Sequence, residues 1–176
     1  MNKRKTIFLD RDGVINIDKH YLHKIEDFEF THNLFMTCKY LQSLGYQLII
    51  ITNQSGIGRE YFTEKDFKKL SDWMINELKK NHINILDLFY CPHKPEDKCE
   101  CRKPKPGMIK QACKKYKIDL KSSWMIGDKI SDMEAAYNAG INNRILISSE
   151  YTDKNKDLKT KNIITTIEET INIIKE

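Results

Sequence analysis

The sequence predicts an α/β fold, a three-layer, doubly wound, mainly parallel sheet of the Rossmann-like type, on three observations. Short apolar runs rich in β-branched residues recur along the chain, at 7–9, 46–51, 85–90, 124–127 and 144–147. Such runs are apolar on both faces, as strands are when helices cover the sheet from two sides. Between them lie segments whose apolar residues recur at helical spacing, and several runs stop abruptly in polar side chains. That is how a parallel sheet presents a ligand site at the C-terminal ends of its strands.

The elements follow in order. Ile7-Phe8-Leu9 reads as the first strand, ending in Asp10, Arg11, Asp12 and Gly13. After a brief alternation at Asp27-Phe28-Glu29-Phe30, Asn33 is placed to cap a helix with Leu34, Phe35, Cys38, Leu41 and Leu44 inward, stopped by Gly45. Tyr46 to Ile51 is the second strand, and it leads into Thr52, Asn53, Gln54, Ser55 and Gly56. Thr63 caps a long amphipathic helix carrying Phe67, Leu70, Met74 and Leu78, with Trp73 beside that stripe. Ile85 to Tyr90 is the third strand, and a Pro- and Cys-rich loop follows from Cys91 to Pro106. Met108, Ile109, Ala112, Cys113 and Tyr116 line the next helix, where Cys113, like Cys38, reads as a packed thiol. Trp124 to Gly127 leads to Asp128, and a helix over 132–139 stops at Gly140. Arg144 to Ile147 is a fifth strand. A charged loop from Tyr151 to Asn162, then Ile163-Ile164-Thr165 and a short helix with Ile167, Ile171 and Ile174, complete the chain.

Composition narrows the possible classes. A chain of 176 residues, 40% hydrophobic and 31% charged, suits one domain over 1–176 with a real core. A formal net charge of +5 is spread along the chain, which accommodates an anionic ligand without arguing for nucleic acid. No apolar stretch approaches membrane-spanning length, and Asn2-Lys3-Arg4-Lys5 passes into the first strand without a signal-peptide core. A cytoplasmic protein is expected, with no membrane partner and an oligomeric state left open, a monomer being compatible. In a reducing compartment five cysteines are not a disulfide framework, and clustered ones call for metal or chemistry.

Two acids one residue apart at a strand end repel unless a cation lies between them, and alternation along an extended chain puts Asp10 and Asp12 on one side. Alone, such a pair is as readily a solvated Asp-Gly turn. Its neighbours in the fold decide. Asp10 and Asp12, Thr52 and Asn53, Arg102 and Lys103, and Asp128 with Lys129 all converge on one rim, and together they describe a site for a divalent metal and a phosphate.

The loop at 91–106 has its own logic. Cys91, His93, Cys99 and Cys101 form a Cys₃His set that matches tetrahedral zinc in ligand type and number. With every position filled by protein the site is structural, and zinc would shape a loop too polar to order itself, aiming Arg102 and Lys103 at the rim. The prolines at 104 and 106 stiffen the exit. A zinc-ribbon nucleic-acid module is the rival reading, but the interleaved aromatics and basic helix of such modules are missing from the sequence.

These residues carry a resemblance. F-L-D-R-D-G, I-I-T-N, R-K-P and I-G-D-K-x-x-D-M, in that order over nearly the whole chain, resemble the four motifs of the haloacid dehalogenase superfamily of phosphohydrolases. The resemblance implies that Asp10 attacks phosphorus to form an aspartyl-phosphate and that Asp12 is the acid/base. It implies that Thr52 and Lys103 hold the phosphoryl oxygens, and that Mg²⁺ sits on Asp10, Asp128 and a main-chain carbonyl at Asp12. Asp132 is expected either to orient this set or simply to satisfy a helix N-terminus.

Within the superfamily, D-G-V-I-N, T-N-Q-S-G-I-G, C-R-K-P-x-P-G-M and the Asp27 to Phe30 run resemble the D-glycero-D-manno-heptose 1,7-bisphosphate 7-phosphatase branch more than the related histidinol-phosphate phosphatases. That branch acts on a small sugar phosphate in nucleotide-activated heptose biosynthesis, leading to lipopolysaccharide or capsule. The resemblance implies substrate contacts from Asp18, Lys19, His20 and Tyr21, from Thr52, Asn53, Gln54 and Ser55, and from Arg102, Lys103 and Lys129. No large cap insertion separates the strands, so an open pocket is expected. A receiver-like phospho-acceptor domain is the non-enzyme alternative, and Asp12, which supplies turnover chemistry, argues against it.

Overall fold

The computed structural model describes residues 3–148, 152 and 157–175. Six strands form one parallel sheet: β1 (Thr6–Leu9), β2 (Gln47–Asn53), β3 (Ile85–Cys91), β4 (Trp124–Gly127), β5 (Asn143–Ile147) and β6 (Asn162–Ile164), in the order β3-β2-β1-β4-β5-β6. Registers run Phe8 to Ile49, Phe8 to Met125 and Ile126 to Ile145, so β1 lies at the centre between β2 and β4. The chain builds outward from β1 to β3, then crosses to the other side of β1. This reversal leaves a crevice beyond the C-terminal ends of β1 and β4.

Alternation along the strands feeds two cores. Ile7, Leu9, Leu48, Ile50 and Ile126 face a layer made by α1 (Leu34–Ser43), α3 (Glu64–Lys80) and α6 (Thr170–Ile173). Phe8, Ile49, Ile51, Met125 and Leu146 face α4 (Gly107–Lys115) and α5 (Ile130–Ala139). Both faces are thus buried, as the near-continuous apolar runs require. Cys38 is buried in the first core, which pushes its thiol up to about 12, and Cys113 packs at the edge of the second.

Thr63 caps α3 as expected: its hydroxyl accepts the Asp66 N–H while the Asp66 carboxylate accepts the Thr63 N–H, a reciprocal cap whose loss typically costs about 1 kcal/mol. Gly140, at φ +89°, ends α5.

Several local expectations change. Asn33 precedes α1 but sits in the left-handed region and makes no capping bond; its amide is turned to Glu168 on the C-terminal segment. The Asp27 to Phe30 alternation is no strand of the sheet. Ile25–Asp27 is a 3₁₀ turn, and Phe28 and Phe30 pack against Trp73. The final helix is a 3₁₀ turn, Ile167–Glu169, running into α6. A short helix, α2 (Ser55–Gly58), follows β2 where no helical period marks the sequence. The charged loop expected at 151–162 lies in part outside the described residues.

Candidate active site

Asp10 leaves β1 beside β4, its N–H donating to the Ile126 carbonyl at 3.0 Å. Asp128 leaves β4 one strand away, so the topology itself makes neighbours of carboxylates 118 positions apart. Gly13 completes the turn at φ +87°, and a Cβ there would run into the Asp128 carboxylate. Gly127 is equally constrained, since a Cβ would strike the side chain of Asp132.

Asp10, Asp128 and Asp132 each offer an oxygen within 4.8 Å of the others. Their environments differ. Asp132, fully buried, lies 2.7 Å from the Lys103 ammonium through Oδ1 and accepts the Lys129 N–H through Oδ2, so it both holds the lysine and finishes the first turn of α5. Asp10 Oδ1 accepts from the Arg11 N–H at 2.8 Å and lies 2.8 Å from the Lys103 ammonium. Asp128 Oδ1 is buried with no hydrogen-bond partner among the described residues. Burial, opposed by the pull of Lys103, leaves the Asp10 carboxyl raised to about 6. Burial, then the charges of Asp10 and Asp132, raise Asp128 to about 8. An orphaned carboxylate oxygen beside a second carboxylate, both destabilised as anions, fits a hard divalent cation. Asp128 supplies the free oxygen, and Asp10 and Asp132, both paired with Lys103, lie within reach of the same point.

Lys103 is the hub. Its ammonium, also bonded to the Ile51 carbonyl at 3.0 Å, is desolvated, which pulls its pKa down, but Asp10 and Asp132 outweigh that and hold it above the ordinary lysine value. Asn53 fixes the segment that carries it: the Lys103 N–H donates to Asn53 Oδ1 at 3.0 Å and Asn53 Nδ2 donates to the Lys103 carbonyl at 3.2 Å.

Asp12 faces a different set of partners. Its carboxylate accepts from Arg11, from Asn16 Nδ2 at 3.0 Å and from Gln54 Nε2 at 3.0 Å, and Gln54 also donates to the Thr52 hydroxyl at 2.9 Å. Neither Arg11 nor Asn16 was singled out by the sequence. Their only signal is position, between and after two acids, and a charged residue there reads as solvated until the fold buries it.

A recess of about 30 Å³ lined by Asp10, Asp12, Thr52, Asn53, Lys103 and Lys129 opens beside a cleft of about 490 Å³. Asp18, His20, Tyr21, Gln54, Ser55, Arg102 and Lys129 line the larger space. A groove of about 580 Å³ beside Ile25 and Trp73 is larger still but holds none of the acids described above. His20 and Tyr21 both take left-handed backbone, φ +49°, a strain tolerated where a rim must keep its shape. Tyr21 meets Tyr61 edge-on and His23 stacks on Phe62, which brace that rim. Lys129 reaches Asp18 across the mouth at 3.1 Å. Lys19, also expected at the substrate, is turned instead to the Asp27 carbonyl and Glu29.

The second cluster stands on the loop leading to Lys103. Cys91 Sγ lies 3.5 Å from Cys99 Sγ and 3.2 Å from Cys101 Sγ, and His93 Nδ1 lies 3.3 Å from Cys101 Sγ and 3.5 Å from Cys91 Sγ. Burial raises the Cys91 thiol. At Cys99 the Arg102 N–H and the neighbouring thiols outweigh burial and lower it to about 7. Four soft donors around one point fit zinc. Arg102, one residue beyond the last of them, donates to the His93 carbonyl at 3.3 Å.

The chain is similar to proteins of known activity. A HAD-hydrolase-like family model matches residues 100–170. The chain is 47% identical over 174 residues to D-glycero-alpha-D-manno-heptose-1,7-bisphosphate 7-phosphatase of Campylobacter jejuni, covering 99% of this chain and 98% of that one. It is 51% identical over 148 residues to D-glycero-beta-D-manno-heptose-1,7-bisphosphate 7-phosphatase of Helicobacter pylori, covering 84% and 86%. The structure of a D,D-heptose 1,7-bisphosphate phosphatase from B. bronchiseptica, complexed with magnesium and phosphate, is 32% identical and superposes with a TM-score of 0.75 over 81% of this chain and 79% of that one.

Proposed function

The chain belongs to the D-glycero-D-manno-heptose-1,7-bisphosphate 7-phosphatase family within the haloacid dehalogenase superfamily, and from that premise we propose that it removes the 7-phosphate of the heptose bisphosphate through an aspartyl-phosphate on Asp10. The observation that carries the mechanism is the pairing of Asp10 with a buried ammonium, Lys103, at a strand end where a second acid, Asp12, is held apart by other donors.

In the first step an Asp10 oxygen bonds to phosphorus as the bond from phosphorus to the sugar oxygen breaks, and Asp12 gives its proton to that oxygen. In the second, Asp12 takes a proton from water as the water oxygen attacks the phosphoryl group, returning Asp10 and inorganic phosphate. The Lys103 ammonium and Thr52 hydroxyl hold the phosphoryl oxygens, since phosphoryl transfer depends chiefly on positioned charge. Asp10, Asp128 and the Asp12 main-chain carbonyl would hold Mg²⁺, which when bound neutralises phosphoryl charge and keeps Asp10 ionised. Cys91, His93, Cys99 and Cys101 would hold zinc, which fixes the loop that delivers Arg102 and Lys103.

Asp18, His20 and Tyr21, with Gln54, Ser55, Arg102 and Lys129, form the sugar-phosphate pocket in this reading, and Asn53 supports it through Lys103. Residues 1–176 act as one phosphatase domain with the zinc loop at 91–106, in the cytoplasm, where five unpaired cysteines stay reduced. The product feeds the making of nucleotide-activated heptose.

The deciding experiment compares Mg²⁺-dependent phosphate release from each anomer of heptose 1,7-bisphosphate with release from histidinol phosphate. Both anomers are included because similar proteins carry both names. Preference for a heptose bisphosphate is expected, with release abolished and the fold retained in Asp10→Asn. Faster turnover of histidinol phosphate overturns the substrate, and normal turnover by Asp10→Asn overturns the mechanism.

A further inference from the structure

Arg11 stands between the two acids of the first motif and is only 1% exposed, the largest of the fully buried side chains. Its Nε donates to Asp12 Oδ1 at 3.2 Å, and its Nη2 donates to Oδ1 and Oδ2 at 3.0 Å each and to the Leu22 carbonyl at 3.0 Å. The guanidinium lies 5.8 Å from the centre of the Phe67 ring. Nη1 is buried without a hydrogen-bond partner among the described residues.

As a stabilising device this is poor. Desolvating a guanidinium is costly, an unpartnered N–H adds to that, and an apolar side chain of similar size commonly does as well. An ion pair between adjacent residues also closes no loop of the chain. What the arrangement does achieve is aim. Asn16 holds one Asp12 oxygen and Gln54 the other, whereas Arg11 holds both and anchors them to Leu22. Leu22 directly follows Asp18, His20 and Tyr21, which line the cleft. A planar fork of this kind fixes the plane of the carboxylate in a way a lysine cannot.

We propose that Arg11 is the positioning residue of the acid/base: it points the Asp12 carboxyl at the oxygen leaving phosphorus and ties that direction to the loop that meets the sugar. This rests on the proposed phosphatase reading. When the bond from phosphorus to a sugar oxygen breaks, the electron pair stays on an alkoxide that must be given a proton, and Asp12 gives it. When p-nitrophenolate leaves, it needs none. Arg11 therefore matters for alkyl phosphates and little for aryl phosphates in the step that forms the phosphoenzyme.

The test is rapid-quench measurement of phosphoenzyme formation in the full-length protein with Mg²⁺, using heptose 1,7-bisphosphate and p-nitrophenyl phosphate. Arg11→Lys and Arg11→Gln are expected to slow formation from the sugar phosphate about 10²-fold, the scale of one acid/base contribution, and from the aryl phosphate by less than about threefold. In an Asp12→Asn background Arg11→Lys is expected to change the sugar-phosphate rate less than about twofold. Equal losses on both esters, no loss on either, or a full further loss in the Asp12→Asn background overturn the proposal. A chain that cannot fold even with lysine at position 11 overturns it in favour of a structural role. A wild-type protein that ignores the heptose but cleaves another alkyl phosphate refutes only the substrate, and the comparison is then made on that ester.

Discussion

Asn53 and Lys103, fifty positions apart, are joined by two reciprocal hydrogen bonds between the Asn53 amide and the Lys103 main chain, which fasten the 91–106 loop to the end of β2. Asn53→Ala leaves both main-chain groups of Lys103 without these partners. At about 1–3 kcal/mol for a half-buried group left unpaired, kcat is expected to fall about tenfold or more, with the loop opening faster to hydrogen exchange. Asn53→Asp keeps the acceptor and should lose less. Steady-state kinetics and exchange at Lys103 measure both.

Lys103→Met removes the only cation paired directly with Asp10 and Asp132 among the described residues. Breaking a buried pair by deleting one partner costs about 3–5 kcal/mol, and removing a donor to the phosphoryl group costs about 10²–10³ in kcat. Denaturant unfolding and turnover of the same preparation should show both losses. Unchanged turnover contradicts the assigned role.

Metal analysis is expected to find about one zinc per chain, and none in Cys101→Ser. Because Arg102 and Lys103 follow Cys101 directly, chelation should lower kcat while leaving far-UV circular dichroism close to that of the holoprotein. Zinc content unaffected by Cys101→Ser rules the site out.

The carboxylate pair predicts a pH dependence with a definite sign. Asp10, raised to about 6, and Asp128, raised to about 8, bind protons more tightly in the folded chain than in the unfolded one, where both lie near 3.8. Stability conferred by these groups is therefore greatest at low pH, and in metal-free protein it declines as pH rises from about 4 to about 8, then levels off. Mg²⁺ competes with those protons, so its gain in Tm should be larger at about pH 8 than at about pH 5. Melting curves with and without Mg²⁺ across this range measure it, and a metal-free Tm that climbs through the window contradicts the pairing.

The sheet was legible because strands buried on both faces leave unbroken apolar runs, and the polar groups that end β1, β2 and β4 were legible because such runs stop sharply. Cys91, His93, Cys99 and Cys101 cluster in sequence as they do in space. What is not legible depends on contacts distant in sequence. Nothing local to Asn33 shows that its amide will turn to Glu168, so from the sequence it reads as a cap. α2 has no apolar period; it is fixed by the Gly58 N–H on the Pro92 carbonyl and by Phe62 packed over Gly56. Lys19 and Asn53 sit within stretches that face the cleft, yet spend their polar atoms on Glu29, the Asp27 carbonyl and the Lys103 main chain. The burial of Arg11 is not legible locally, because burial belongs to the fold and not to the tripeptide around it.

The central place of β1 also governs timing. During synthesis, which runs from the N-terminus, the first strand and Asp10 at its end emerge early, yet the Asp10 N–H finds the Ile126 carbonyl, and Asp10 its companion Asp128, only when β4 arrives. A nascent chain can pair β1 with β2 and β3 and still lack Asp128, one of the two carboxylates proposed to hold Mg²⁺. In the proposed mechanism, phosphate-ester cleavage is thereby withheld until translation has passed the fourth strand.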